Sequence, residues 1–198
     1  MKTFILLAVS VVALACAGEE IRFDGSVAVA LIPGEKRDQA LTPAVPPESE
    51  APCLKLTWGE RRHRFAELKL RNNRKIAPVE QASAGLTVYV PEKTRVGRIG
   101  VRFTDAKGET FQFYPAGEGL KRGAWNTLSY RISETDANSS WGGNADRKVD
   151  GALRFSGVAV NFPAGSGAGE LFIGKLQLHE RQGELLVCGE PFLNFDRS

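Results

Sequence analysis

From residue 139 to residue 150 the chain reads Ser-Ser-Trp-Gly-Gly-Asn-Ala-Asp-Arg-Lys-Val-Asp, a polar stretch around one large aromatic, Trp141. An indole among small, hydrophilic residues is not placed there by core packing alone. Its flat apolar face suits the C–H face of a sugar ring. An amide, a carboxylate and a guanidinium close behind it suit pairs of hydroxyls. Trp141, Asn144, Asp146 and Arg147 are therefore the candidate ligand-binding residues, and the chemistry they fit is the holding of a saccharide. A Trp141 folded back as a lid over the end of the fold is the other reading these residues allow.

Catalytic chemistry finds less to work with. Nucleophilic hydrolysis needs a nucleophile, a base and an orienting group gathered together. His63 lies in a basic segment, His179 at the end of an apolar-alternating one, and no Gly-x-Ser-x-Gly elbow exists. The carboxylate pair of a glycosidase can be distant in sequence, but Asp105, Glu109, Glu118, Asp136, Asp146 and Asp150 fall in turns and polar stretches, where acids keep loops wet. No catalytic residue is assigned. The Gly-rich run 163–169 lacks the Lys-Ser/Thr and the helix of a phosphate loop, and reads as a connector. A formal charge of +3 argues against nucleic acid as the main partner. Arg61, Arg62, Arg64, Arg71, Arg74 and Lys75 form the most basic part of the chain. That run reads either as a solvated strand edge or as a cationic surface for uronate, sulfated glycans or anionic cell-surface polymers.

Positioning these groups falls to a chain with a secretory look. Met1-Lys2-Thr3 precedes an apolar run from 4 to 15 that is too short to span a bilayer, so residues 1–17 read as a cleavable signal peptide. Cys16 leaves lipoprotein anchoring as a variant of the same secreted or periplasmic destination. Residues 18–182 are then expected to form one β-sandwich domain, and 183–198 a C-terminal strand or the start of a following module, since Glu190 to Ser198 echoes Ile21 to Ser26. Cys53 and Cys188 either pair across a long loop in an oxidising compartment or stay as separate buried thiols.

Alternation of apolar and polar residues marks the strands. Short strands are expected at 21–23 and 27–32, and a loop over the proline-rich 33–52. Cys53 to Trp58 should be a strand with Leu54, Leu56 and Trp58 on one face and Cys53 and Lys55 on the other. Arg61 to Leu70 continues as a strand through Phe65 and Leu68, with 71–75 as the turn after it. A further strand is expected at 85–90, then a hairpin with Ile99, Val101 and Phe103 facing Phe111 and Phe113 around an Asp105-Ala106-Lys107-Gly108 turn. Strands led by Trp125, at 153–162 and at 170–178 follow, with 185–188 as one more. Trp58 and Trp125 are expected in the core. No amphipathic helix of useful length is expected, and the pattern implies an all-β sandwich.

The order Gly123-x-Trp125-x-x-Leu128, Trp141-Gly142-Gly143-x-x-Asp146, Phe155-x-Gly157-Val158-x-Val160 and Gly169-x-Leu171-x-Ile173-x-x-Leu176-x-Leu178, with the Asp105, Gly108 and Phe111 hairpin, resembles the galactose-binding-like jelly rolls. These are the carbohydrate-binding-module type of β-sandwich, often attached to bacterial extracellular glycoside hydrolases, and the resemblance covers roughly residues 53–178. It implies a two-sheet antiparallel jelly roll with no catalysis of its own, a poly- or oligosaccharide ligand at the loop end or on the concave sheet face, and a C-terminal catalytic domain in the parent chain. Many such domains hold a structural calcium with an acid from the closing strand. Gly174 stands at that place here, which leaves Asp24 as the oxygen ligand on offer. A structural spacer without glycan affinity is the alternative function, and an intrinsic glycosidase the third.

Overall fold

The alternating runs become strands because each can bury one face. The computed structural model describes residues 19–26, 28–31, 38–47, 49–60, 64–75, 82–117 and 119–180. The expectations for the signal peptide, Cys16, Arg61, Arg62, His63, Cys188, the 185–188 strand and a following module lie outside those residues. The strands are β1 (Glu19–Arg22), β2 (Val29–Leu31), β3 (Gln39–Ala44), β4 (Cys53–Trp58), β5 (Phe65–Lys75), β6 (Ala82–Val90), β7 (Ile99–Thr104), β8 (Glu109–Phe113), β9 (Ala124–Ile132), β10 (Ser139–Gly142), β11 (Arg154–Asn161) and β12 (Gly169–Glu180). The only helical piece among the described residues is a 3-10 turn, Glu134–Asp136.

Two antiparallel sheets result. The first runs β3-β4-β12-β6-β9, with β1 also paired to β12, and the second runs β10-β8-β7-β11-β5-β2. This is the two-sheet β-sandwich, jelly-roll type, implied by the strand pattern. Leu54, Leu56 and Trp58 from β4, Leu86 and Val88 from β6, and Ile173 and Leu176 from β12 meet Leu68, Val101, Phe103, Phe111, Phe113 and Phe155 from the second sheet. The Phe103 ring lies edge-on to Phe113 and Phe155 at 5.8 and 5.5 Å, a favoured arrangement for aromatic rings. Each such side chain contributes about 1.5–3 kcal/mol on full burial. Tyr130 crosses this core to donate its hydroxyl to the Ile99 carbonyl at 3.1 Å, and burial pushes its ionisation upward.

The hairpin forms with Phe103 opposite Phe111 and Val101 opposite Phe113, and Gly108 at φ +86° takes the left-handed position. Four expectations change. The proline-rich segment contains a strand, β3, whose Pro43 is tolerated because β3 is an edge. Residues 71–75 extend β5 rather than turn, because Arg74 and Lys75 pair with Phe155 and Arg154 beyond an irregularity in β11. The polar stretch holding Trp141 is not all loop, since β10 pairs with β8. Trp125 is not in the core between the sheets. Leu128, Tyr130 and Ile132 point inward, so the odd-numbered residues of β9 face outward, and Trp125 packs half-buried against Tyr89 at 5.8 Å on the outside of the first sheet.

Phe172 and Cys53 complete that outer cluster. Burial pushes the Cys53 thiol up to about 11. Trp58 lies in the core as expected, its Nε1 donating to the Gly167 carbonyl at 3.1 Å.

Candidate functional site

Outward positions on the second sheet assemble three rows of side chains. Trp141 of β10 stands opposite Thr110 of β8, which faces Thr104 of β7, which faces Arg154 of β11. With strands about 4.8 Å apart, that row spans about 14 Å. The next row is Ser139, Gln112 and Arg102, continuing over Gly157 to Lys69. The third runs over Gly100 and Ala159 to Glu67.

Trp141 is 41% exposed, so it is an accessible platform at the sheet edge and not a lid folded inward. The Arg102 guanidinium lies 4.9 Å from its ring centre, a cation–π contact that fixes the indole's tilt. Arg102 itself is held, with Nε donating to Gln112 Oε1 at 2.8 Å and an ion pair to Glu67. Gln112 Nε2 donates to the Tyr114 hydroxyl at 2.7 Å, and Asn161 Nδ2 donates to the same oxygen at 2.8 Å. Tyr114 therefore accepts twice and keeps its own proton to donate. Gly100 lets the Tyr114 ring lie close to the sheet, since a Cβ there would meet Tyr114 Cε1 at 3.2 Å and the Phe113 carbonyl oxygen at 3.2 Å. Arg98 covers that ring from outside, 3.8 Å from its centre.

The loop after β10 is built differently. Asn144 Nδ2 donates to Asp146 Oδ2 at 2.9 Å and to Asp150 Oδ2 at 3.0 Å, and Lys107 pairs with Asp150 at 3.0 Å. Asp146 Oδ1 accepts the Lys148 N–H, and Arg147 sits at φ +63° with its N–H on the Glu109 carboxylate at 3.2 Å. Lys107, followed by Asn144, draws the Asp150 carboxyl below its ordinary range. Asn144 and Asp146 thus bond each other, and the hydrogen bonds of this loop run within it, to the β7–β8 hairpin and, from the Val149 N–H at 2.9 Å, to Glu134 of the 3-10 turn. Asp105 and Glu109 are only 3% and 0% exposed, against the expectation that acids here merely stay wet. Asp105 accepts the N–H groups of Lys107, Glu109 and Asp150, a staple between hairpin and loop that also explains its turn role.

Two other features border these. A cleft of about 450 Å³ opens beside Arg98, between residues 96–99, 115–117, 119–120 and 127–129. On the first sheet, Lys55 sits 5.3 Å over the Phe172 ring. Among the described residues no group of three His, Cys, Asp or Glu is arranged for a metal ion. At the calcium position of the jelly-roll resemblance Gly174 supplies no side-chain oxygen, its carbonyl accepts the Phe23 N–H at 2.9 Å, and Asp24 Oδ1 accepts the Ser26 N–H at 2.9 Å.

No family model matches the sequence, and no curated protein is similar to it in sequence. Solved structures are similar in shape. A family 11 module, CtCBM11, has a TM-score of 0.55 at 10% identity, over 86% of this chain and 99% of that one. The Clostridium thermocellum family 11 module in complex with a β-1,3-1,4-mixed-linked tetrasaccharide has a TM-score of 0.53 at 8% identity, covering 84% and 97%. The fold is that of the carbohydrate-binding-module jelly rolls. The CBM22-1–GH10 modules of the Clostridium thermocellum xylanase 10B, complexed with xylohexaose, match the jelly roll at 0.51 and 10% identity, covering 84% of this chain and 28% of that one.

Sequence reading picked out Trp141 on this jelly roll but passed over Arg98, Arg102, Gln112, Tyr114 and Asn161. Their signal was present. Arg102 and Gln112 occupy the positions that alternate with Val101, Phe103, Phe111 and Phe113, so the parity that sends the apolar residues inward sends these two to one outer face.

Proposed function

We propose that this domain binds a poly- or oligosaccharide along the outer face of its second sheet, with Trp141 as the platform for a sugar ring. The observation that carries the reading is the exposed indole held by Arg102 at one end of a fixed network, Arg102–Gln112–Tyr114–Asn161. Rigid polar groups beside an aromatic plane bind at low ordering cost. Asn144, Asp146 and Arg147 shape the loop that carries Trp141 and border the ligand at that end.

Binding rather than catalysis is supported by the acids. The buried pair, Asp105 and Glu109, direct their oxygens to backbone N–H groups, which leaves neither carboxylate disposed as an acid or a nucleophile. Solved structures of the same fold include carbohydrate-binding modules, one of them joined to a family 10 glycoside hydrolase module. A leader at residues 1–17 would deliver the domain outside the cytoplasm, with residues 18–182 working beside a glycoside hydrolase. No helix among the described residues is long and apolar enough to cross a membrane.

The test is affinity electrophoresis of the full chain through gels containing a panel of soluble polysaccharides, neutral and acidic. Retention should appear with at least one polymer and weaken up to about tenfold in Trp141→Ala, since an aromatic platform contributes about 0.5–1.5 kcal/mol, and also in Tyr114→Ala, which removes the hydroxyl that holds Gln112 and Asn161 in place. Retention unchanged in both variants would remove the site.

A further inference from the structure

The two outer faces treat their cations differently. On the first sheet Lys55 pairs with Glu170 at 2.5 Å, Lys175 with Glu20 at 3.0 Å and Arg22 with the same Glu20 at 2.7 Å, and Arg131 of the edge strand β9 is the one outward cation with no ion pair among the described residues. On the second sheet the described outward side chains include Lys69, Arg71, Arg98, Arg102 and Arg154 against one acid, Glu67, which is taken by Arg102. Lys69, Arg71, Arg98 and Arg154 have no ion pair among the described residues. That imbalance exceeds the charge of the whole chain, +3, so it is a concentration on one face and not an average property.

We infer that the ligand of this face is an anionic glycan, a uronate-containing or sulfated polysaccharide, recognised by Arg98 and Arg154 at opposite ends of the Trp141–Tyr114 surface. The inference rests on the saccharide-binding reading of the same face and adds the charge class of the ligand. The Arg98 guanidinium carbon lies over the Tyr114 ring, 3.8 Å from its centre. Stacking occupies the face of a guanidinium and leaves its in-plane donors for a carboxylate or sulfate, which they meet two at a time. Arg154 stands in the row that begins at Trp141, its guanidinium has no ion pair among the described residues, and its buried Nε meets no acceptor among the described atoms. A neutral glycan needs neither guanidinium unpaired. Like charges kept together without counter-ions raise the local potential and gather polyanions.

The full chain is run in affinity gels containing polygalacturonate, the same polymer with its carboxyls reduced to alcohols, mixed-linkage β-glucan and xylan. Retention by polygalacturonate, at least tenfold weaker on the reduced polymer and falling with added salt, is expected; a sulfated galactan in a parallel gel separates the carboxylate from the sulfate source. Arg98→Gln/Arg154→Gln should lose tenfold or more in affinity with an unchanged unfolding temperature. Arg122→Gln/Arg131→Gln, which removes the same charge from exposed positions outside the face, should lose less than twofold. Equal losses in the two pairs would mean diffuse polyelectrolyte attraction and overturn the inference. Retention by neutral polymers that matches or exceeds the acidic ones would overturn it while leaving the saccharide-binding reading intact. Retention by none would overturn both.

Discussion

Replacing Asp105 by alanine should loosen the loop that carries Trp141, and the cost can be worked from three contacts. The Asp105 carboxylate accepts N–H groups from Lys107 at 3.0 Å, Glu109 at 2.8 Å and Asp150 at 3.1 Å. Hydrogen bonds to a charged acceptor contribute about 1.5–3 kcal/mol each. Lys107 lies in an exposed turn where water can replace the lost oxygen, so two of the three dominate, and the expected loss is about 3–5 kcal/mol. For a domain of this size each kcal/mol moves the unfolding temperature by about 2–4 °C, so the variant should melt about 6–20 °C lower. Asp105→Asn keeps one oxygen for Lys107 and Glu109 but turns an amide donor towards the Asp150 N–H, and should cost about half as much. Urea unfolding followed by far-ultraviolet circular dichroism measures both, with the slope unchanged if only stability moves. An alanine variant within 1 kcal/mol of the parent, or an asparagine variant as damaging as alanine, would refute the staple.

Gly157→Ala should cost about 2–3 kcal/mol by overpacking, because the added Cβ would run into the Leu68 carbonyl oxygen at the β5–β11 irregularity; thermal melts report it. Gly100→Ala should leave the melt within a few degrees but tilt Tyr114, lowering saccharide affinity several-fold by titration calorimetry. Arg22, then Lys175, holds the Glu20 carboxyl at about 2 against an ordinary value of 4.5. Its folded value is depressed, so its contribution is present above about pH 4.5 and is lost as pH falls towards 2. The gap in urea midpoint between the parent and Glu20→Gln should therefore open between those values and vanish at the acid end. Acrylamide should quench mainly Trp141, and Trp141→Phe should remove that fraction of the fluorescence while the buried Trp58 signal remains.

Strands whose two faces differ in polarity could be read directly. Cys53 to Trp58 and the Ile99 to Phe113 hairpin each have one apolar face, and both fold with the bounds and the inward residues that alternation requires. Edge strands were harder. β3 carries Pro43 and little to bury, and β10 is four residues long, so neither has an apolar period to detect. Trp125 misled because size was weighed above parity: two residues of even number, Leu128 and Tyr130, already fixed the inward face. The site was half legible for a related reason. Trp141 stands out in its own segment, but Arg102, Gln112, Tyr114 and Asn161 become a group only when β7, β8 and β11 lie side by side, and long-range pairing leaves no mark at any one position.

β1 enters the domain beside the strand from which the chain leaves it: Glu19 pairs with Leu178 and Arg22 with Lys175, antiparallel. A pull applied between residues 19 and 180 therefore loads this ladder like a zipper and not like a lap joint. Its pairs open one after another from the Glu19 end, each at low force, and the Glu20–Lys175 ion pair is among the first contacts to be lost. Tension between the ends of the domain would strip β1 before it strained the second sheet, whose six strands do not include β1 or β12. The first response to load is thus confined to the sheet opposite Trp141.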